Sequence, residues 1–180
     1  VSSVGDFNGD GFSDVIAGAN LNDAGGSNAG RAYIYFGGSV MNSVVDITLT
    51  GLAASDQFGI SVSTAGDING DGYGDVIAGA LFNDGGGSNA GRAYIYYGGS
   101  SPDNTADVLL TGAAAGDQFG ISVSTAGDVN GDGYSDVIAG ANLNDATGTD
   151  AGSAYIYFGG SVPNNTADVI LSGAAGDRFG

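Results

Sequence analysis

One nine-residue pattern occurs three times in this chain, at positions 6–14, 67–75 and 128–136, and each copy starts 61 residues after the one before it. Every copy places Asp, Asn, Asp and Asp at positions 1, 3, 5 and 9, with glycine at positions 4 and 6. A recurrence at fixed spacing means that the chain is built of equal units, and equal units must bury their apolar faces against one another. Any fold proposed for the chain has to accommodate three such units in 180 residues.

The spacing also carries chemistry. A tight loop turns alternate side chains inward, so Asp6, Asn8, Asp10 and Asp14, with the backbone carbonyl of Phe12, form a set of oxygens suited to one hard cation. The same set recurs as Asp67, Asn69, Asp71, Tyr73 and Asp75, and again as Asp128, Asn130, Asp132, Tyr134 and Asp136. Glycine at position 6 accepts the positive φ that a sharp turn requires. Three carboxylates a few ångströms apart repel by about 2–4 kcal/mol per pair at an effective dielectric near 20. The expectation is therefore one Ca²⁺ per loop, three per chain, with the ion deciding whether the loop is ordered. Position 12 is Ala17, Ala78 or Ala139 and the chain has no Glu, which excludes an EF-hand and counts against dockerin-like loops. The nonapeptides of parallel β-helices repeat at every turn rather than every 61 residues.

Each loop runs directly into the sequence Val-Ile-Ala-Gly-Ala, at 15–19, 76–80 and 137–141, a short β-branched run. In the middle unit, alternation and glycine punctuation predict four strands at 58–65, 75–80, 92–98 and 106–111, with a polar loop at 81–91. The third of these is apolar on both faces, as suits a sheet covered on both sides. No stretch has a helical period. The fold class is all-β: a β-propeller of four-stranded antiparallel blades, about three to the chain.

The Phe58, Gly59 pair and the Ile77 to Ala80 run, flanking the metal loop at fixed spacing, resemble FG-GAP repeats of the integrin α-subunit β-propeller type, and the resemblance covers essentially the whole chain. It implies a four-stranded blade per repeat, with the calcium loop between the first and second strands on the lower face. It carries metal-ligand roles onto the fifteen positions named above. It also implies that partners dock on the opposite, upper face, where the candidates are Leu21, Asn22, Asp23, Leu81, Phe82, Asn83, Asp84, Leu143, Asn144, Asp145 and Asp150.

Residues 1–180 read as a single half-propeller in which one strand is split between the N- and C-termini. Propellers close with four to eight blades. Three blades leave two open edges, so a homodimer closing a six-bladed ring is one expectation and the remainder of a longer propeller is the other.

Composition narrows the function. The net charge is −17, from 20 acids that are all Asp against three Arg, which argues against nucleic acid or an anionic membrane as partner. No apolar run is long enough to span a bilayer. With no His, Cys, Glu or Lys, catalysis would rest on Asp, Tyr, Ser or Thr, and Asp145 with Asp150 is a candidate unclaimed carboxylate pair, though their loop offers no partner base. The reading is a non-enzymatic, calcium-stabilised, extracellular or cell-surface binding module for a protein or glycan. The alternative is a self-assembling scaffold, and a lectin or hydrolase ranks below both. The strand tyrosines are expected to pack between blades rather than stack sugars, and Arg31 and Arg92 to pair with nearby Asp residues.

Overall fold

A computed structural model describes residues 1–180. Twelve strands alternate with turns and there is no helix: β1 (Ser2–Gly5), β2 (Asp14–Ala19), β3 (Arg31–Tyr35), β4 (Ile47–Thr50), β5 (Val62–Gly66), β6 (Asp75–Ala80), β7 (Arg92–Tyr96), β8 (Val108–Thr111), β9 (Ser122–Gly127), β10 (Asp136–Ala141), β11 (Ser153–Tyr157) and β12 (Val169–Ser172). They form three separate four-stranded sheets, each paired in sequence order and antiparallel throughout. The first strand of each sheet lies beside the first strand of the next, β1 against β5 and β5 against β9. This is the arrangement of consecutive propeller blades.

The core lies between sheets rather than within one. Val4, Phe7, Ile16, Ala32, Ile34 and Leu49 of the first blade meet Val76, Ala78, Ala80, Tyr94 and Tyr96 of the second. The opposite face of the second blade, through Ile77, Ala93, Ile95, Val108 and Leu110, meets Val123, Val137, Ala139, Tyr155 and Tyr157 of the third. Identical sequence therefore acquires different burial. In β6 all six residues are buried, whereas β2, with the same Asp-Val-Ile-Ala-Gly-Ala, is covered on one face and buries only Asp14 and Ile16.

The strands are shorter than the alternation predicts, and the largest difference is informative. The Phe58, Gly59 pair does not open a strand; β5 starts at Val62. Gln57 and Gly59 both have positive φ, 53° and 81°, which breaks an extended run. Phe58 N–H donates to the Ala29 carbonyl of the first blade at 2.9 Å, and Gly59 N–H donates to the Gly79 carbonyl of the second at 2.8 Å. The pair is a rivet across the joint. Gly120 repeats the second bond, donating to Gly140. The Phe58 ring stands edge-on to Tyr94 and Tyr96, with centroids 5.3 and 6.4 Å apart, and Phe119 does the same with Tyr155 and Tyr157. Those tyrosines are consumed by blade packing and present no surface for a sugar. The third strand likewise ends at Tyr96, because the next N–H, of Tyr97, is taken by the Asp107 carboxylate at 2.7 Å.

Candidate metal centre

Each nine-residue loop connects the first two strands of its blade. The entry is a β-bulge: the register between β5 and β6 shifts at Thr64 and Gly66, and Gly66, at φ 75°, donates its N–H to Thr64 Oγ1. A bulge at this point turns the chain out of the sheet and aims the following aspartate back across the loop.

Inside the loop, position 1 is the hub. The Asp67 carboxylate accepts N–H bonds from Gly70, Asp71 and Gly72 at 2.7, 3.0 and 3.0 Å. Asn69 Oδ1 accepts the Asp71 N–H, while Asp71 accepts from Tyr73 N–H and from Asn69 Nδ2. Asp6 and Asp128 hold their loops by the same three N–H bonds. The negative charge of position 1 is thus met by backbone N–H dipoles, and the loop carries closing bonds of its own.

Position 9 behaves differently from the other three. Asp14, Asp75 and Asp136 are fully buried, with both oxygens engaged. One oxygen accepts the N–H of the second loop residue, Phe7, Ile68 or Val129, at 2.8 Å in each blade. The other accepts from Gly37, Gly98 or Gly159, just beyond the third strand, at 2.7–2.9 Å. The aspartate therefore ties the loop to the turn beside it. Burial pushes the Asp75 carboxyl up to about 7 despite these two bonds, with the nearby Asp71 and Asp67 charges adding to the rise. Asp14 is raised by the same cause.

The fifteen positions predicted from spacing thus share three loops on one rim, but with their present hydrogen bonds no three acidic side chains gather at one point. The donor set still fits a hard cation. It consists only of carboxylate, amide and carbonyl oxygens, each carboxylate oxygen has two lone pairs, and positions 1, 3 and 5 lie at or near the surface.

The other rim is formed by the loops after each second strand and after each fourth, which are laced together: Ser55, Gln57 and Phe58 donate to Ser27, Asn28 and Ala29. Several residues proposed there for ligand contact are structural. Leu81, Asn83 and Asn144 are buried. Asn83 Nδ2 donates to Asp56 at 2.7 Å and to Tyr94 OH at 3.3 Å, and Asn144 repeats the first bond with Asp117. Burial raises the Asp56 carboxyl above its ordinary range, with the Asn83 bond opposing. Asp23, Asp84 and Asp145 each close their own loop by accepting the N–H of Asn28, Asn89 or Asp150 at 2.7–2.8 Å. Leu21 is the residue of this group most open to solvent among its apolar members, at 60%. Phe82 and Leu143 are half-buried. Neither Arg31 nor Arg92 forms an ion pair; Arg92 Nε donates to Thr111 Oγ1, and the salt bridge of the chain joins Arg178 to Asp150 at 3.0 Å. Asp145 and Asp150 are thus both engaged, one by the Asp150 N–H and the other by Arg178.

Sequence reasoning missed the Asp56 and Asn83 bracing and the second role of the Phe-Gly pair. A signal existed, since an Asp stands two residues before each Phe-Gly, at 56, 117 and 177.

The family model for the FG-GAP repeat matches residues 1–35, 58–96 and 119–157. Integrin alpha-5 of Xenopus laevis is 33% identical over 180 residues, covering 94% of this chain and 16% of its own length. Integrin alpha-6 of Gallus gallus is 34% identical over 143 residues, 77% of this chain and 13% of its own, and integrin alpha-IIb of Mus musculus is 35% identical over 149, 77% and 14%. The chain thus spans less than a fifth of the length of these relatives. Three family matches fall on three sheets, each spanning a metal-type loop and the three strands around it, and the chain belongs to the FG-GAP repeat family.

Proposed function

We propose that this chain is a calcium-stabilised propeller module of the extracellular or cell-surface adhesion type, which binds a protein or glycan on the rim opposite the metal loops. The observation that carries this reading is the division of labour between the rims. One concentrates nine of the chain's 20 aspartates in three loops, and the other holds three polar loops, each laced by backbone bonds to the segment that follows the blade's fourth strand. In the reading, Asp6, Asn8, Asp10 and the Phe12 carbonyl hold one ion with Asp14 behind them. Asp67, Asn69, Asp71, Tyr73 and Asp75 hold a second, and Asp128, Asn130, Asp132, Tyr134 and Asp136 a third. Extracellular calcium suits such sites, since modules outside the cell use affinities of about 10⁻⁴–10⁻³ M. No helix of the chain is long and apolar enough to cross a membrane.

The test is retention on immobilised extracellular-matrix proteins and glycans, in millimolar calcium and in chelator. Calcium-dependent retention that weakens on Leu21→Ser and Asp23→Ser supports adhesion. Equal recovery from every surface sinks it and favours the scaffold reading, which the near-identity of the three units supports.

The partner of the open faces is proposed to be a second copy. Val15, Ala17, Tyr33 and Tyr35 are half-exposed, although their counterparts in the second blade, Val76, Ala78, Tyr94 and Tyr96, are buried. At the far side, Phe179 is 42% exposed where Phe58 and Phe119 are 1%. Each face matches the surface that its equivalent meets inside the chain. Sedimentation in millimolar calcium should then give twice the 17.5 kDa chain mass. A monomeric mass at all concentrations would reject the six-bladed homodimer.

A further inference from the structure

The three metal loops are not separate. Tyr73, at position 7 of the second loop, lays its ring over Gly9, at position 4 of the first, so closely that a Cβ at Gly9 would collide with it. Tyr134 covers Gly70 in the same way one blade further on. Beside each ring a backbone bond crosses the joint. Gly74 N–H donates to the carbonyl of Asp6 at 2.9 Å, and Ser135 N–H donates to the carbonyl of Asp67 at 3.0 Å. Ser135 Oγ also accepts the Asp67 N–H at 3.2 Å. A third strap follows: Gly99 N–H donates to Phe7 and Gly160 N–H to Ile68, both at 2.9 Å. Position 1, the hub of the loop, is thus gripped by the following blade in the first two loops. Gly131, in the last loop, has no such cover.

We infer that the first and second cation sites are each a composite of two blades, so that an ion bound in either loop clamps that blade to the next. The inference rests on the calcium reading above and assigns a new role within it. Tyr73 with Gly74, and Tyr134 with Ser135, are positioning residues for the loop of the preceding blade. The reason is mechanical. An ion drawing Asp67, Asn69 and Asp71 together must fix the Asp67 backbone, and that backbone is held from outside by Ser135. The Tyr134 ring over Gly70 limits how far the loop opens when no ion is present. Removing the ring leaves every proposed oxygen ligand in place, because position 7 contributes its carbonyl.

Calcium titration calorimetry of the full chain separates the possibilities. Tyr73→Ala should weaken one of the three sites about tenfold, the usual cost of losing a group that orients a metal ligand, and leave two unchanged. The weakened site is identified by a mutant cycle. In an Asp71→Asn background, which impairs the tyrosine's own loop while keeping an oxygen for the Tyr73 N–H, the loss should persist. In an Asp10→Asn background, where the first loop is already impaired, it should vanish. The reverse pattern, or no loss in either background, overturns the clamp. Absence of binding heat from the unsubstituted chain overturns the calcium reading itself, so the two failures are distinguishable. Tyr134→Ala, paired with Asp132→Asn and Asp71→Asn, repeats the test at the second joint. Near-ultraviolet circular dichroism confirms that each variant is folded.

Discussion

Phe119→Ala is expected to lower the stability of the chain by about 3–5 kcal/mol, the range for deleting a buried aromatic side chain. In a chain of this size that corresponds to a fall in melting temperature of roughly 10 °C. Phe119 is 1% exposed and stands edge-on to two rings, 5.5 Å from Tyr155 at 75° and 6.3 Å from Tyr157 at 79°. Edge-to-face contacts of this kind add about 0.5–1.5 kcal/mol per pair beyond area burial. The cavity cannot be refilled locally, because the residues around it belong to strands of two different sheets whose separation is fixed by other bonds. Gly120 N–H still holds Gly140 and Phe119 N–H still holds Ala90 after the ring is removed. Thermal and urea unfolding of Phe119→Ala beside Phe12→Ala, whose ring is 45% exposed, would check this. Similar losses from both would mean that the joints are not the core of this fold.

The dependence on joints explains which parts of the fold were legible in the sequence. The 61-residue period, four strands per unit and the absence of helix follow from local pattern, and the sheets agree with them. The second and fourth strands end where glycine punctuation places them, at Ala80 and Thr111. What local pattern could not show is a partner in another blade. Phe58 and Gly59 read as a strand because an aromatic followed by glycine and β-branched residues alternates as a strand does. Their backbone bonds instead go to Ala29 and Gly79, 29 and 20 residues away from Phe58 and Gly59 respectively. Asn83 reads as a loop residue free for a ligand because its bond to Asp56 spans 27 residues.

The metal loops were legible in composition but not in the use of each side chain. Spacing gives Asp67 and Asp75 equal standing as ligands. Their surroundings separate them: Asp67 faces the open loop, while Asp75 is enclosed and shares its oxygens between Ile68 and Gly98. A sequence states how many oxygens a loop contains, and the competition between a cation and nearby N–H groups decides where each one points. That competition depends on the turn after the third strand, which lies 23 residues from Asp75.

Gly79→Ala should be costlier than its single added methyl suggests. Gly79 is not among the residues with positive φ, so alanine suits its backbone. The obstacle is the neighbouring blade: a Cβ there would press into the carbonyl oxygen and carbonyl carbon of Gly120. Overpacking a close-packed site typically costs 1–3 kcal/mol where side chains can move aside. Here the obstructing atoms are backbone, held by the bond from Gly120 N–H to Gly140. The blades must part or the strand must shift, and we expect a loss of about 3 kcal/mol or more. Gly18→Ala should match it, since Gly18 faces Gly59 in the same way across the first joint. Gly72→Ala provides the contrast. It has φ 90° and open space around it, so it incurs backbone strain of about 1–2 kcal/mol without any collision. Urea midpoints for the three variants test this ranking. If Gly79→Ala unfolds no earlier than Gly72→Ala, the glycines of the Ala-Gly-Ala runs are not there to let blades approach. If the expected order holds, the two glycines that mark this repeat are a single device, one on each side of a joint that admits no side chain between them.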